Sequence, residues 1–112
     1  MGKVISVQPF DLKPGVTDAD IEAHLRDSTF SVPGITVYVA KGDRGARNGQ
    51  YVAIIETESA ELRDRYFPAD GSPSDEFTQL FAPFMAEDER FRKLTTWPNP
   101  DSTDYHVISE SK

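Results

Sequence analysis

Ile35-Thr36-Val37-Tyr38-Val39-Ala40 and, after a ten-residue break, Tyr51-Val52-Ala53-Ile54-Ile55-Glu56 decide the reading of this chain. In both runs β-branched and aromatic residues fill the two alternating sets of positions, the pattern of strands covered on both sides. The break, residues 41–50, holds three glycines and four charges with no apolar period, so it reads as an exposed hairpin loop. Lys41, Arg44 and Arg47 make that loop basic and Gly-rich. It joins strand to strand, however, and a phosphate-binding loop needs a strand leading into a helix.

Upstream, residues 3–10 carry Val4, Ile5, Val7 and Phe10 and read as a first strand, stopped by Lys13-Pro14-Gly15. Thr17 with Asp20 three residues on forms a capping box, and Val16 with Ile21 a hydrophobic staple, so a helix starts at Asp18. Its apolar stripe is Ile21 and Leu25. It ends by Ser28-Thr29, and Pro33-Gly34 turns the chain into the second strand. Downstream, Ser59 caps a short helix that Pro68 terminates, and Ser72-Pro73-Ser74-Asp75 reads as a cap, a proline at the first helical position and an acid at the third. Phe77, Leu80, Phe81, Phe84 and Met85 make an apolar cluster on the helix that follows, which Pro83 must kink or split. Residues 96–101 cannot be regular, and Tyr105-His106-Val107-Ile108 reads as a last strand.

This order gives an α+β fold, the ferredoxin-like βαββαβ plan: a four-stranded antiparallel sheet with helices on one face and an extra helix in the second crossover. Residues 1–112 make a single domain. The pairs Val4/Ile5, Val37/Tyr38 and Ile54/Ile55 put apolar groups on both faces of the sheet, so the face without helices needs a cover. In so short a chain the simplest cover is a second copy, and a homodimer is expected. A net charge of −7 weighs against nucleic acid and anionic membrane as partners. With no cysteine there are no disulfides or sulfur-built metal sites. The apolar stretch near the start is far shorter than a secretory signal, so a soluble, unprocessed cytoplasmic protein is expected.

Four residues stand out as chemical groups. His24 borders the stripe of the first helix and His106 lies on the last strand, each a candidate general base. His24 is also read as a candidate haem ligand, and Asp104 as the group that sets the His106 tautomer. Tyr38 and Tyr51 can offer hydroxyls to a ligand. Phe77 and Phe81 belong to an aromatic wall of the kind that lines small-molecule pockets. Two histidines without paired spacing make no metal site, and no cofactor is expected. An RNA-recognition reading fails because Ala53 and Ile55 stand where stacking aromatics belong. An acylphosphatase reading fails because residues 11–15 offer no arginine.

Pro33-Gly34-Ile35, Gly49-Gln50-Tyr51-Val52-Ala53-Ile54-Ile55-Glu56, Thr57-Glu58-Ser59-Ala60-Glu61-Leu62, Tyr66-Phe67-Pro68-Ala69-Asp70 and Thr103-Asp104-Tyr105-His106-Val107-Ile108 together resemble the dimeric α/β-barrel proteins. Those include stress-responsive barrel, NIPSNAP-like and EthD-like proteins, polyketide cyclases and antibiotic-biosynthesis monooxygenases. The resemblance implies a homodimer pairing its sheets face to face, with a pocket for a small, largely apolar metabolite between each sheet and its helices. Three functions follow from it as expectations: small-molecule binding, cofactor-free oxygenation or cyclisation, or a non-catalytic assembly module. Cyclase-like members carry histidines where this chain has Asp70, Tyr51 and Val4. Asp70 thereby enters as a ligand-binding candidate.

Overall fold

A computed structural model describes residues 2–98 and 101–111. The elements are β1 (Val4–Phe10), α1 (Asp18–Arg26), β2 (Ile35–Lys41), β3 (Tyr51–Thr57), α2 (Ala60–Tyr66), α3 (Asp75–Phe81), a 3-10 turn (Ala82–Phe84), α4 (Met85–Leu94) and β4 (Thr103–His106). The strands form one antiparallel sheet in the order β2-β3-β1-β4, consistent with the ferredoxin-like plan. No helix among the described residues is long and apolar enough to cross a membrane.

Local chemistry sets the helix starts. Thr17 accepts from Asp20 N (3.2 Å) while Asp20 accepts from Thr17 N (2.9 Å), completing the expected capping box. Ser59 accepts from Leu62 N at the head of α2. The reading at residues 72–75 is corrected by two positions. Ser74, not Ser72, caps α3 by accepting from Phe77 N, and Pro73 precedes the cap. Ser72 is drawn away because its own N–H donates to Asp70 in a tight turn. Pro83 splits the next helix as expected, into α3, the 3-10 turn and α4.

The last strand also moves by two residues, to Thr103–His106, because its register against β1 runs out where His106 faces Val4. Ile108 is left 95% exposed. The irregular tail read at 96–101 includes Asn99 and Pro100, which lie outside the described residues. β4 pairs only with Val4, Ile5, Ser6 and Val7, so Pro9, which has no N–H to give, sits where β1 has a neighbour on one side alone.

The strand registers sort the sheet into two faces. Val4, Phe10, Ala53 and Thr57 lie buried on one, beneath the helices. This layer packs at its two ends. At one end Val32, Leu62 and Tyr66 form a core with Phe30, Phe77, Leu80 and Phe84 against it, and Tyr66 donates to Pro33 O (2.9 Å). Gly34 in the adjoining turn has φ +78°, and a Cβ there would meet Leu62 at 2.2 Å, so only glycine fits. At the other end Phe10 stacks on Tyr51 and meets Phe91 of α4 edge-on. Met85, read as part of the apolar cluster, is instead 55% exposed.

Candidate functional site

Between those two packed ends the helix layer leaves a row of the sheet incompletely covered, half-buried at Ser6 and Ile55 and exposed at Val37 and Asp104. Val37, Ile55, Ser6 and Asp104 lie side by side across all four strands in register, and none of them is buried. The row toward one end contains buried Val4 and Thr57. Toward the other end come buried Ala53 and then Phe10. Val37, a valine on the helix side, is 40% exposed. The floor of this gap is apolar at Val37 and Ile55 and polar at Ser6 and Gln8, where the Gln8 amide donates to the Ser6 hydroxyl (2.6 Å). That pair leaves a hydroxyl proton, an amide oxygen and a second amide N–H for other partners. Arg63 of α2 closes the β4 end by donating to Asp104 (2.8 Å).

The residues singled out in the sequence are dispersed around this gap. His24 stacks on Phe91 (5.7 Å between rings) and lines an open groove of about 510 Å³ between α1 and α4, with Asp27, Glu87, Arg90 and Lys93. Burial pushes the Glu87 carboxyl up, but hydrogen bonds from Ser28 and Thr29 outweigh it and hold the group below its ordinary value. Glu87 thus ties α4 to the end of α1. His106 is exposed at the β4 edge one row from Ser6, with its ring beside Gly2. Asp104 is engaged by Arg63, so the expected Asp104–His106 relation gives way to an ion pair that joins β4 to α2.

Tyr38 and Tyr51 do not converge. Their registers put Tyr51 on the helix side and Tyr38, 50% exposed, on the opposite face. Tyr51 donates to Asp18, whose carboxylate also takes Lys41 Nζ at 2.5 Å. Burial against Phe10 and this bond to Asp18 push the Tyr51 hydroxyl up to about 12, while Lys41 and then Tyr51 hold Asp18 below the usual carboxylate range. This trio pins the start of α1 to the β2–β3 hairpin. Phe77 and Phe81 stack on each other and pack with Tyr66, Phe67 and Phe30, which makes them core walls at the far end from Tyr51. Asp70 is an exposed turn residue accepting from Ser72 N.

Sequence reasoning passed over Ser6, Gln8, Val37 and Ile55 as site residues. The signal was present in β1, where two polar residues share a face with Val4 and Phe10. Among the described residues no cluster of three or more histidines and carboxylates is placed to hold a metal. No protein-family model matches the chain, and no curated protein matches it.

Among the described residues the opposite face of the sheet carries no helix. Ile5, Val7, Val52, Ile54, Tyr38 and Tyr105 stand on it, none of them buried, and Tyr105 is 56% exposed. Glu56 lies among them with Lys3 at 3.8 Å. The chain exposes 7726 Å², about a quarter more than the ~6,200 Å² expected of a folded monomer of its mass.

Proposed function

We propose that the chain is a homodimeric small-molecule-binding protein of the dimeric α/β-barrel kind, with two open sheet faces packed together and a ligand gap between each sheet and its helices. The observation that carries the ligand reading is the unburied row Val37–Ile55–Ser6 beneath the helix layer. An apolar floor with one hydrogen-bonding pair suits a small, largely apolar molecule bearing a single hydroxyl or carbonyl. The apolar area takes the body of the ligand, and Ser6 and Gln8 orient its polar atom. The uncovered face supports the dimer, since contiguous apolar surface of this kind marks an interaction site.

A thermal-shift panel of hydroxyl- and carbonyl-bearing aromatics, 1-naphthol among them, tests the ligand reading. A ligand at 100 times its Kd adds about 2.7 kcal/mol, a rise of more than ~10 °C for a domain of this size. Ile55→Trp, which fills the gap, is expected to raise the melting temperature by itself and to remove the response. If no member of the panel shifts the wild type, or if the shift survives in Ile55→Trp, the gap is not the binding site.

A further inference from the structure

β2 is an edge strand, and among the described residues the outward N–H groups beyond Ile35 have no partner. The bonds Gly42 N to Gln50 O (2.7 Å) and Glu58 N to Gly34 O (2.9 Å) bracket the hairpin. They fix its phase: even-numbered residues of β2 exchange hydrogen bonds with β3. Odd-numbered residues therefore aim N–H and C=O at the free edge. Ile35 N donates to Val32 O (3.1 Å), but among the described residues nothing accepts from the N–H of Val37, Val39 or Lys41.

Natural sheets usually guard such an edge with short strands or charges. The other edge of this sheet is guarded in both ways, since β4 is four residues long and carries Asp104. β2 is seven residues long and carries no charge before its last residue, Lys41. In a chain with nineteen acidic residues, none falls between Asp27 and Asp43. This is the stretch on which a second copy of a chain of net charge −7 meets no repulsion.

We propose that β2 pairs antiparallel with β2 of a second copy about a two-fold axis at Tyr38, joining two sheets edge to edge. The register follows from the phase, because odd residues must face odd residues for the free groups to meet. Centring on Tyr38 sets Val37 opposite the partner's Val39 and Ile35 opposite the partner's Lys41. The N–H groups of Val37, Val39 and Lys41 then donate to carbonyls of the partner's Val39, Val37 and Ile35. The one donor already used, Ile35 N, is left out of the set. Lys41 meets an isoleucine and not another lysine, and the two Tyr38 rings meet across the axis. The pairing uses the strand's edge, so it is independent of packing on the open face, and it meets the ligand gap only at Val37, where the row ends.

An edge of this length lies at the weak end of association, below ~1,200 Å² buried, so it is read at a chain concentration of about 100 μM. The absence of cysteine makes cross-linking selective. Val37→Cys and Val39→Cys are prepared as separate full-length chains, then oxidised with copper phenanthroline alone and as an equal mixture. Across a hydrogen-bonded antiparallel pair the Cα atoms are about 5.5 Å apart, within disulfide range. The mixture is expected to cross-link at least ~5-fold faster than either chain alone. Adding Val39→Pro to the Val37→Cys chain blocks the edge without removing a bond to β3, and is expected to abolish that excess. Both positions lie on the helix side, out of reach of a copy packed on the open face. A mixture no faster than its components overturns the proposal, as does an excess that survives Val39→Pro. Preferential Val37→Cys self-linking overturns the register.

Discussion

The two faces of the sheet are similar in composition and opposite in circumstance. On one, Val4, Phe10, Ala53 and Thr57 are sealed beneath helices; on the other, Ile5, Val7, Val52 and Ile54 are equally apolar and none is buried. In β1 the alternation even points the wrong way. Ile5, Val7 and Pro9 make the uniformly apolar side, whereas the covered side is interrupted by Ser6 and Gln8. Hydrophobicity states that a face must be covered, and the connections decide what covers it.

The largest expected effect separates those faces directly. Phe10→Ala removes a ring held between Tyr51 and Phe91 and is expected to cost about 3–5 kcal/mol in urea unfolding. Ile54→Ala on the open face, measured in dilute, dissociated chain, is expected to cost less than about 1 kcal/mol. Equal losses at the two positions would mean that Ile54 is packed within its own chain, and the contrast between the faces would fail.

What could be read from the sequence was local. The capping box at Thr17 and Asp20, the break at Pro83 and the first three strands depend on neighbours a few residues apart, and each appears in the structure within a residue or so. β4 was displaced because its ends are set by register against β1, a contact about a hundred residues distant in sequence. The full span of α4 was not legible either. Its inner side offers only the half-buried Phe91 and Leu94 amid charges, and it is fixed by packing on Phe10 and by the hold of Glu87 on Ser28 and Thr29. The site was less legible than the fold. The two histidines and two tyrosines drew attention by residue type, yet Tyr38 and Tyr51 fall on opposite faces by the parity of their register. Ser6 gains meaning only once its row is seen to lie between the two packed ends, and Gln8, one row on, through its bond to Ser6.

A smaller effect sharpens the comparison on the covered side. Tyr51 titrates at about 12 in the folded chain, above its ordinary value near 10, so it stabilises the fold fully below pH ~10. That contribution is lost as pH rises from 10 through 12. Tyr51→Phe is expected to be somewhat less stable than the wild type at pH 8 and to close the difference across that window. A parallel decline of the two proteins from pH 9 to 12 would show that the Tyr51–Asp18 bond does not hold α1 to the hairpin in solution.

The claim on which the account turns is that a second copy covers the open face, and sedimentation of the intact chain at about 10 μM tests it most directly. The expected result is a particle of twice the chain mass that falls to a single, still folded chain on Ile54→Lys. A wild type that sediments as one well-folded chain at that concentration would contradict it.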